Sequence, residues 1–248
     1  MNNCKHFLFI LALLFSVNLK AQEPTDYEVP RKNEIGFELL DLIDGSYHFS
    51  YERLVWKNFS FVFGAGYKTE DGLVNLSGID REKIKTTDIT YDGFKIIPEI
   101  RYYIKKTQVS SMDGFYLGLY FKYARFTSDL DGTYYPDGQE NPDTSTTIEF
   151  DATLRSTAVG FMIGYKLPIS KRFTIDFMIA GPGAGRYNIS LVNKKDLPDE
   201  FYDDLNEALE NYSIFDLISA DFRFSDTNLK SAFGFPSFRY GISLGYSF

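Results

Sequence analysis

The sequence is poor in the residues that most often carry chemistry. It has one cysteine, Cys4, and two histidines, His6 and His48. A single thiol excludes a disulfide framework and a multi-thiolate metal site. Two histidines, one of them in the first few residues, cannot build a His-cluster metal site. We therefore expect no resident metal and no cofactor.

Positive charge is also in short supply. The chain has 26 Lys and Arg against 34 Asp and Glu, and this balance argues against nucleic acid as a partner because phosphates require basic residues. Tryptophan occurs once, whereas the chain has 24 Phe and 18 Tyr. Such an excess of Phe and Tyr favours strands over helices.

The first 21 residues have the layout of a secretory signal peptide. Lys5 supplies positive charge, an apolar run extends from Phe7 to Val17, and Ala21 is the small residue of a cleavage site. The run is shorter than the ~20 residues that a spanning helix needs. We predict a cleaved signal peptide over 1–21, a periplasmic tail over 22–32 and a barrel domain over 33–248.

Beyond Lys32 the dominant pattern is alternation of bulky apolar residues with small or polar ones. A period of two is typical of strands whose two faces differ. Eight segments show the pattern, over 35–39, 47–52, 59–68, 94–104, 115–124, 158–166, 173–180 and 238–248. The sequence therefore predicts an all-β domain of eight antiparallel strands.

The connections between these segments are sorted by length. Short turns over 54–58, 105–114 and 167–171 alternate with long stretches over 69–90, 128–149 and 181–236, and only 41–46 breaks the rule. Short turns at one end and long loops at the other are typical of outer-membrane barrels. An even strand number places both termini on the short-turn, periplasmic side.

The bulky face is predicted to point outward. Eight strands enclose room for one layer of side chains, which suits glycine, serine and charged residues better than rows such as Phe59, Phe61 and Phe63. Ten residues tilted near 45° cover roughly 23 Å, about the height of an outer-membrane apolar band. We predict an eight-stranded up-and-down transmembrane β-barrel in the outer membrane, with long extracellular loops.

The last long connection contains a helix candidate. Asp196 can cap it, Pro198 suits its first turn, and an apolar stripe at helical spacing follows. The stripe consists of Phe201, Leu205, Leu209 and Tyr212. The helix either packs this stripe over the barrel mouth or forms a lid or partner-binding surface, so the 182–236 loop is a candidate contact for an extracellular partner. The strand count becomes ten if Ser213 to Phe224 is also strand.

The polar face carries charges of both signs inside a narrow tube. Buried charges must pair, because an unpaired one costs several kcal/mol. We predict a lumen network of Glu52, Glu99, Arg101, Lys122, Asp176 and Arg239. The network either only fills and fixes the barrel or forms a ligand site or a gated narrow pore.

His48 is the sharpest catalytic candidate; it is expected to face the lumen near the outer end of the second strand, with Asp44, Ser46 and Ser50 near it in sequence. Some eight-stranded outer-membrane barrels are acyltransferases with His, Asp and Ser at this end. The sequence fixes no base–nucleophile pair, so we assign no catalytic residue and expect a non-enzymatic protein. Gly181 to Gly185 lacks the Lys-Ser/Thr ending of a phosphate loop and is expected to bend the seventh strand.

Two segments resemble known families. Tyr240 to Phe248, with aromatic residues at alternate positions and a final Phe, resembles the last strand of small OmpA/OmpX-type outer-membrane barrels. That resemblance implies the barrel-insertion machinery as a partner, and the outward apolar face predicts outer-membrane lipids as another. Pro98 to Tyr103 resembles a motif of an uncharacterised family of Gram-negative outer-membrane barrels, to which no activity is assigned.

These observations predict a non-enzymatic barrel with a structural or loop-mediated binding role in the cell envelope. Two alternatives stay open. One is an outer-membrane barrel enzyme that uses His48, or a narrow pore. The other is a soluble, lipocalin-like carrier in which the two faces of the sheet are reversed.

Overall fold

The computed structural model describes residues 31–70, 72, 77–104, 112–138, 140–210, 224–225 and 229–248. In this part of the chain there are nine strands, a short 3-10 helix over Leu40–Asp44 and one α-helix, α1, over Asp199–Glu210. The strands are β1 (Asn33–Glu38), β2 (Ser46–Leu54), β3 (Phe59–Lys68), β4 (Ile84–Thr86), β5 (Asp92–Tyr103), β6 (Gly114–Tyr134), β7 (Thr146–Pro168), β8 (Phe173–Asn193) and β9 (Lys230–Ser247). The predicted signal peptide and most of the predicted tail lie outside the described residues.

The sheet closes on itself. Apart from β4, each strand pairs antiparallel with the next along the chain, and β1 pairs with both β2 and β9. Glu34, for example, lies opposite Glu52 on one side and Ser247 on the other. Closure leaves these eight strands in a ring. The predicted eight-stranded, antiparallel up-and-down barrel is therefore confirmed.

The two ends of the barrel differ. Asn33 and Phe248 lie together at one end, where the Phe248 amide donates to the Asn33 carbonyl at 2.9 Å; we call it the terminal end. Tight turns close this end, with the Val55 amide bonded to the Phe59 carbonyl and the Ile169 amide to the Phe173 carbonyl. The opposite end carries the 3-10 helix, β4 and α1, and we call it the cap end.

The outer surface near the terminal end is an apolar band. Phe61, Phe121 and Tyr240 all point outward, with 43%, 41% and 67% of their surfaces exposed. On the inner face of the ring, Glu52 of β2, Glu99 of β5 and Lys166 of β7 are buried. The predicted assignment of faces is confirmed, and it is opposite to the one that a lipocalin-like carrier requires.

Four strands run far past the predicted boundaries. The β6–β7 ladder continues to the pair Tyr134–Thr146, and the β8–β9 ladder to Ser190–Lys230. The expectation of long loops over 128–149 and 181–236 was therefore wrong for much of their length. Gly181 to Gly185 does not end β8, which continues through it after a register shift at Met178/Gly181.

The pattern of faces reverses in this extension, which is why alternation did not reveal it. The outward positions become polar, as at Asp129 and Asp151, while Leu130 and Phe150 point inward. The extension is thus built like a water-soluble sheet, with its apolar side inside. It also pairs with β4, an unpredicted strand whose Ile84 lies opposite Tyr134.

Helix α1 fills the inside of the extension. Phe201 is fully buried, stacks on Phe150 with ring centroids 5.8 Å apart and meets Tyr134 edge-on at 5.2 Å. Asp204 accepts hydrogen bonds from the Lys83 ammonium at 2.8 Å and the Tyr134 hydroxyl at 2.7 Å. The hydrogen bond that Lys83 donates to the Asp204 carboxylate raises the pKa of Lys83.

The predicted helix is confirmed. Of its apolar stripe, Phe201 and Leu205 are buried and Leu209 is partly buried against the interior of the extension. It begins at Asp199 rather than directly after Asp196. Tyr212 lies outside the described residues, as does the candidate strand from Ser213 except for Phe224, which is in no strand. No helix in the described part of the chain combines the length and the apolar character needed to cross a membrane.

Candidate functional site: the barrel lumen

Arg101 is the centre of a buried charge cluster near the terminal end. Its guanidinium donates to Glu99 from Nε at 2.9 Å and from Nη2 at 2.7 Å. Nη1 lies 2.5 Å from Asp176 and 3.5 Å from Glu52. Side chains alternate between the two faces of a strand, and all four residues occupy inward positions of β2, β5 and β8, which explains why they lie together.

Lys166 forms the second cationic centre. Its side chain is 1% exposed, and Nζ lies 2.7 Å from Glu34 and also contacts Glu52. Hydroxyl groups satisfy the remaining carboxylate oxygens. Ser247 and Thr174 donate to Glu34 at 2.9 and 3.0 Å, and Tyr103 donates to Glu52 at 2.7 Å.

Tyrosine rings fill the space between these charges. The Tyr116 hydroxyl donates to Asp176 at 2.8 Å, and the Arg101 guanidinium lies 4.6 Å from the centre of the Tyr116 ring. Gly164 makes room for this ring, because a Cβ added there would overlap it and the Phe177 carbonyl. The inward glycines thus leave space that tyrosine rings from the neighbouring strand fill.

Gly164→Ala is expected to lower the free energy of unfolding by about 1–3 kcal/mol, since overpacking a filled core forces neighbours to move. Guanidinium unfolding of the folded barrel in lipid vesicles measures the change. Gly234→Ala is the matched control, because a Cβ there meets only the Gly185 carbonyl, at 3.8 Å. Equal stabilities of the two variants would contradict the packing described for Tyr116.

The structure brings five of the six predicted network residues together. Arg239 joins through its Nη2, 2.9 Å from Glu99 Oε1, and its guanidinium lies 4.7 Å from the Tyr120 ring centre. Lys122 points into the lumen but forms no ion pair with a described residue; its cross-strand neighbour on β7 is Ala158. Lys122 is therefore separate from the cluster of Glu52, Glu99, Arg101, Asp176 and Arg239.

Sequence reasoning missed Glu34 and gave Lys166 no partner. Glu34 stands one residue before the first alternating segment, in phase with the other inward residues of β1. Extending the alternation by one residue would have placed it in the lumen. The hydroxyls of Tyr103 and Tyr116 were also missed. The sequence does not distinguish an inward tyrosine that donates to a buried carboxylate from one that only fills space.

His48 lies closer to the cap end and has a different partner from those its sequence neighbours suggested. Its Nδ1 is 3.1 Å from Asp41 Oδ2, which also accepts from Lys95 Nζ at 2.6 Å. Asp44 is instead bonded to the Ser46 backbone amide. His48 Nε2 is buried and has no hydrogen-bond partner among the described residues, so the geometry supplies a base and its orienting carboxylate without a bonded nucleophile.

The lumen holds little free space at this level. A cavity of about 20 Å³ has a lining that includes His48, Arg101, Arg239, Gly64 and Ser50. That volume accommodates about one water molecule. Within the described residues, no group of three or more His, Cys, Asp or Glu side chains is placed to hold a metal ion.

The fold and the site define a closed β-barrel with an apolar outside and a charged, packed inside. A family model described as "Protein of unknown function (DUF3575)" matches residues 57–197, and the chain belongs to this family. No curated protein matches the sequence. The comparisons do not name an OmpA- or OmpX-type barrel, so that resemblance stays a prediction.

Two solved structures are similar over 90% of this chain and 100% of their own. They are CarO2 and CarO of Acinetobacter baumannii, with TM-scores of 0.41 and 0.40 and sequence identities of 12% and 11%.

Proposed function

We propose that the protein is an integral outer-membrane barrel, exported by a signal peptide over 1–21, with a structural or binding role and no catalytic activity. One observation carries the proposal: bulky apolar side chains cover the outside of the barrel, and ion pairs occupy its interior. A water-soluble barrel has no reason to expose Phe161 at 72% and Phe238 at 63%, because large exposed apolar patches mark contact surfaces.

The dimensions of the band support a bilayer as the contact. On β6, outward apolar residues run from Phe115 to Tyr123, and Arg125 follows. At about 3.3 Å per residue and a tilt near 40°, this distance is roughly 20 Å along the barrel axis, close to the outer-membrane apolar band. On β7, Phe161 and Val159 likewise give way to Thr157 and Arg155.

The packed lumen favours a non-conducting barrel over a pore. Tyr103, Tyr116 and Lys166 are fully buried across the terminal end, and eight-stranded barrels have interiors filled by side chains. The part exposed to a partner is then the cap end, where the β6–β9 extension rises roughly 25 Å above the band. We propose this capped extension, within which the 182–236 segment contributes α1, as the binding surface for an extracellular partner.

The terminal strand supports insertion by the barrel-assembly machinery. Phe248 directly follows β9 and is half exposed, in line with the outward residues Tyr246 and Leu244. Deleting Phe248 should reduce the amount of folded protein in the outer membrane without changing synthesis.

The proposal is tested by fractionating cells and comparing boiled with unboiled outer membranes on a denaturing gel. The expected result is a band in the outer-membrane fraction that shifts on boiling. Recovery in the periplasmic extract without detergent would contradict it.

The competing functions have separate readouts. In planar bilayers the purified barrel should show no steady conductance, whereas open steps would favour the narrow pore. A His48→Ala variant should keep the wild-type phenotype, whereas its loss in a folded variant would favour the enzyme.

A further inference from the structure

Three arginines lie side by side on the outside of the barrel, just above the apolar band. Arg125 on β6 is directly opposite Arg155 on β7. Arg186 on β8 is opposite Thr157, the next outward residue of β7. All three side chains are exposed, so three neighbouring strands place their cations at one level of the wall.

No carboxylate of the described residues pairs with these arginines. The nearest by register, Asp92, accepts hydrogen bonds from Thr127 at 2.7 Å and Tyr67 at 3.4 Å. Further towards the cap end, Asp151 is paired with Lys194. Like charges directly opposite on two strands repel each other, and an anion bound between them would relieve that repulsion.

A groove lies directly below this arginine cluster. Its volume is about 760 Å³, and Phe121, Val159 and Ala184 form its upper lining. Towards the terminal end, Ala184 is the first outward residue below Arg186 on β8, and Val159 is the second outward residue below Arg155 on β7. A ligand in the groove can therefore reach the guanidinium groups without crossing the wall.

Two prolines account for the groove. Pro98 on β5 and Pro182 on β8 both face outward and line it. The β5–β6 ladder is interrupted between the pairs Ile96–Tyr123 and Glu99–Tyr120, next to Pro98, because proline has no amide to donate. The β7–β8 ladder is likewise interrupted at Pro182, between the pairs Gly160–Gly183 and Ile163–Ala180.

We propose that the arginine cluster and the groove together bind a phosphorylated, multiply acylated lipid of the outer leaflet. Guanidinium groups form bidentate, charge-assisted hydrogen bonds with phosphate, and the aliphatic and aromatic lining accepts acyl chains. The cluster stands where the phosphates of such a lipid would meet the band. This inference rests on the proposed outer-membrane location.

The test measures lipid binding to the folded full-length barrel in detergent micelles by native mass spectrometry. The probes are diphosphorylated lipid A, the same lipid with both phosphates removed, and inorganic phosphate alone. Wild-type protein should retain the diphosphorylated lipid about tenfold more tightly than the phosphate-free form, as expected for charge-assisted hydrogen bonds. Inorganic phosphate alone should bind far more weakly than either lipid.

Two variants separate the headgroup contact from the acyl contact. The triple variant that combines Arg125→Gln, Arg155→Gln and Arg186→Gln should abolish the preference for the phosphorylated lipid. The Ala184→Trp variant should weaken the binding of both lipids, because the indole fills the groove. Arg53→Gln is the matched control, because Arg53 is an exposed arginine at the terminal end of β2 and should change nothing.

The inference would be overturned if the folded wild-type barrel bound both lipids equally well. It would also be overturned if the triple variant kept the preference for the phosphorylated lipid. Equal binding of inorganic phosphate would overturn it too, because the acyl chains would then contribute nothing. Failure of the proposed location shows separately, as absence of the protein from the outer-membrane fraction.

Discussion

Replacing Arg101 by Met should lower the free energy of unfolding by about 3–5 kcal/mol, the cost of leaving buried charges without their partner. Arg101 contacts Glu99, Asp176 and Glu52 inside the barrel. Methionine fills a similar volume but donates no hydrogen bond, so the three carboxylates lose their shared cation. The loss should exceed that caused by the Gly164→Ala change.

Guanidinium unfolding in lipid vesicles measures this effect, with Arg53→Met as the control on the outer surface. The control should stay within about 0.5 kcal/mol of wild type, as is usual for surface changes. Adding Asp176→Asn to the Arg101→Met variant should recover part of the loss, because one uncompensated carboxylate is removed. A single Arg101→Met variant as stable as the control would show that the cluster does not hold the barrel together.

The second large effect is expected from a charge placed in the apolar band. Phe161→Arg should lower the stability of the barrel in a bilayer by about 2–4 kcal/mol, the cost of an arginine near the bilayer midplane. Phe161 is 72% exposed, so in a water-soluble barrel the same change would remove an exposed aromatic ring and be neutral or beneficial. The sign and size of the effect therefore depend on the surroundings of the band.

Thr147→Arg is the matched control on the same strand. Thr147 is exposed on the outward face of the β7 extension, which the proposed topology places in water. The arginine there should alter stability by no more than about 0.5 kcal/mol. Equal effects at both positions would contradict a bilayer around the band.

The strand ring and its faces could be predicted because the band imposes a simple pattern on the sequence. Every strand of the ring presents bulky apolar residues to the outside of the band, and the lumen accepts small or charged ones on the other face. Rows such as Phe59, Phe61 and Phe63 carry that pattern directly. The closing pair of β1 with β9 followed from the need to leave no open edge in lipid.

The extension could not be predicted because its pattern has the opposite phase. Leu130 and Phe150 are apolar and inward, while Asp129 and Asp151 are outward. A search for outward apolar residues reads such a segment as a loop. The reversal at Arg125 and Arg155 is itself the clearest mark of where the band ends.

The sequence could predict which charged residues point into the lumen, but not which of them contact one another. Strand parity placed Glu99, Arg101 and Asp176 inside, but parity alone does not set the strand register that decides which charges meet. Lys122 was expected in the cluster on parity and lies apart from it. Asp41, the partner of His48, comes from the 3-10 helix, whose position cannot be deduced from alternation.

The central claim is that the outward aromatic residues contact acyl chains, and spin labelling tests it most directly. In a Cys4→Ser background, single cysteines at Phe61, Phe121, Tyr240 and the inward Ser237 are labelled in protein reconstituted into vesicles. Collisions with oxygen should exceed those with a water-soluble nickel complex at the first three positions, and Ser237 should show little access to either reagent. Labels at Phe61, Phe121 and Tyr240 that collide mainly with the nickel complex, or with neither reagent, would contradict the claim.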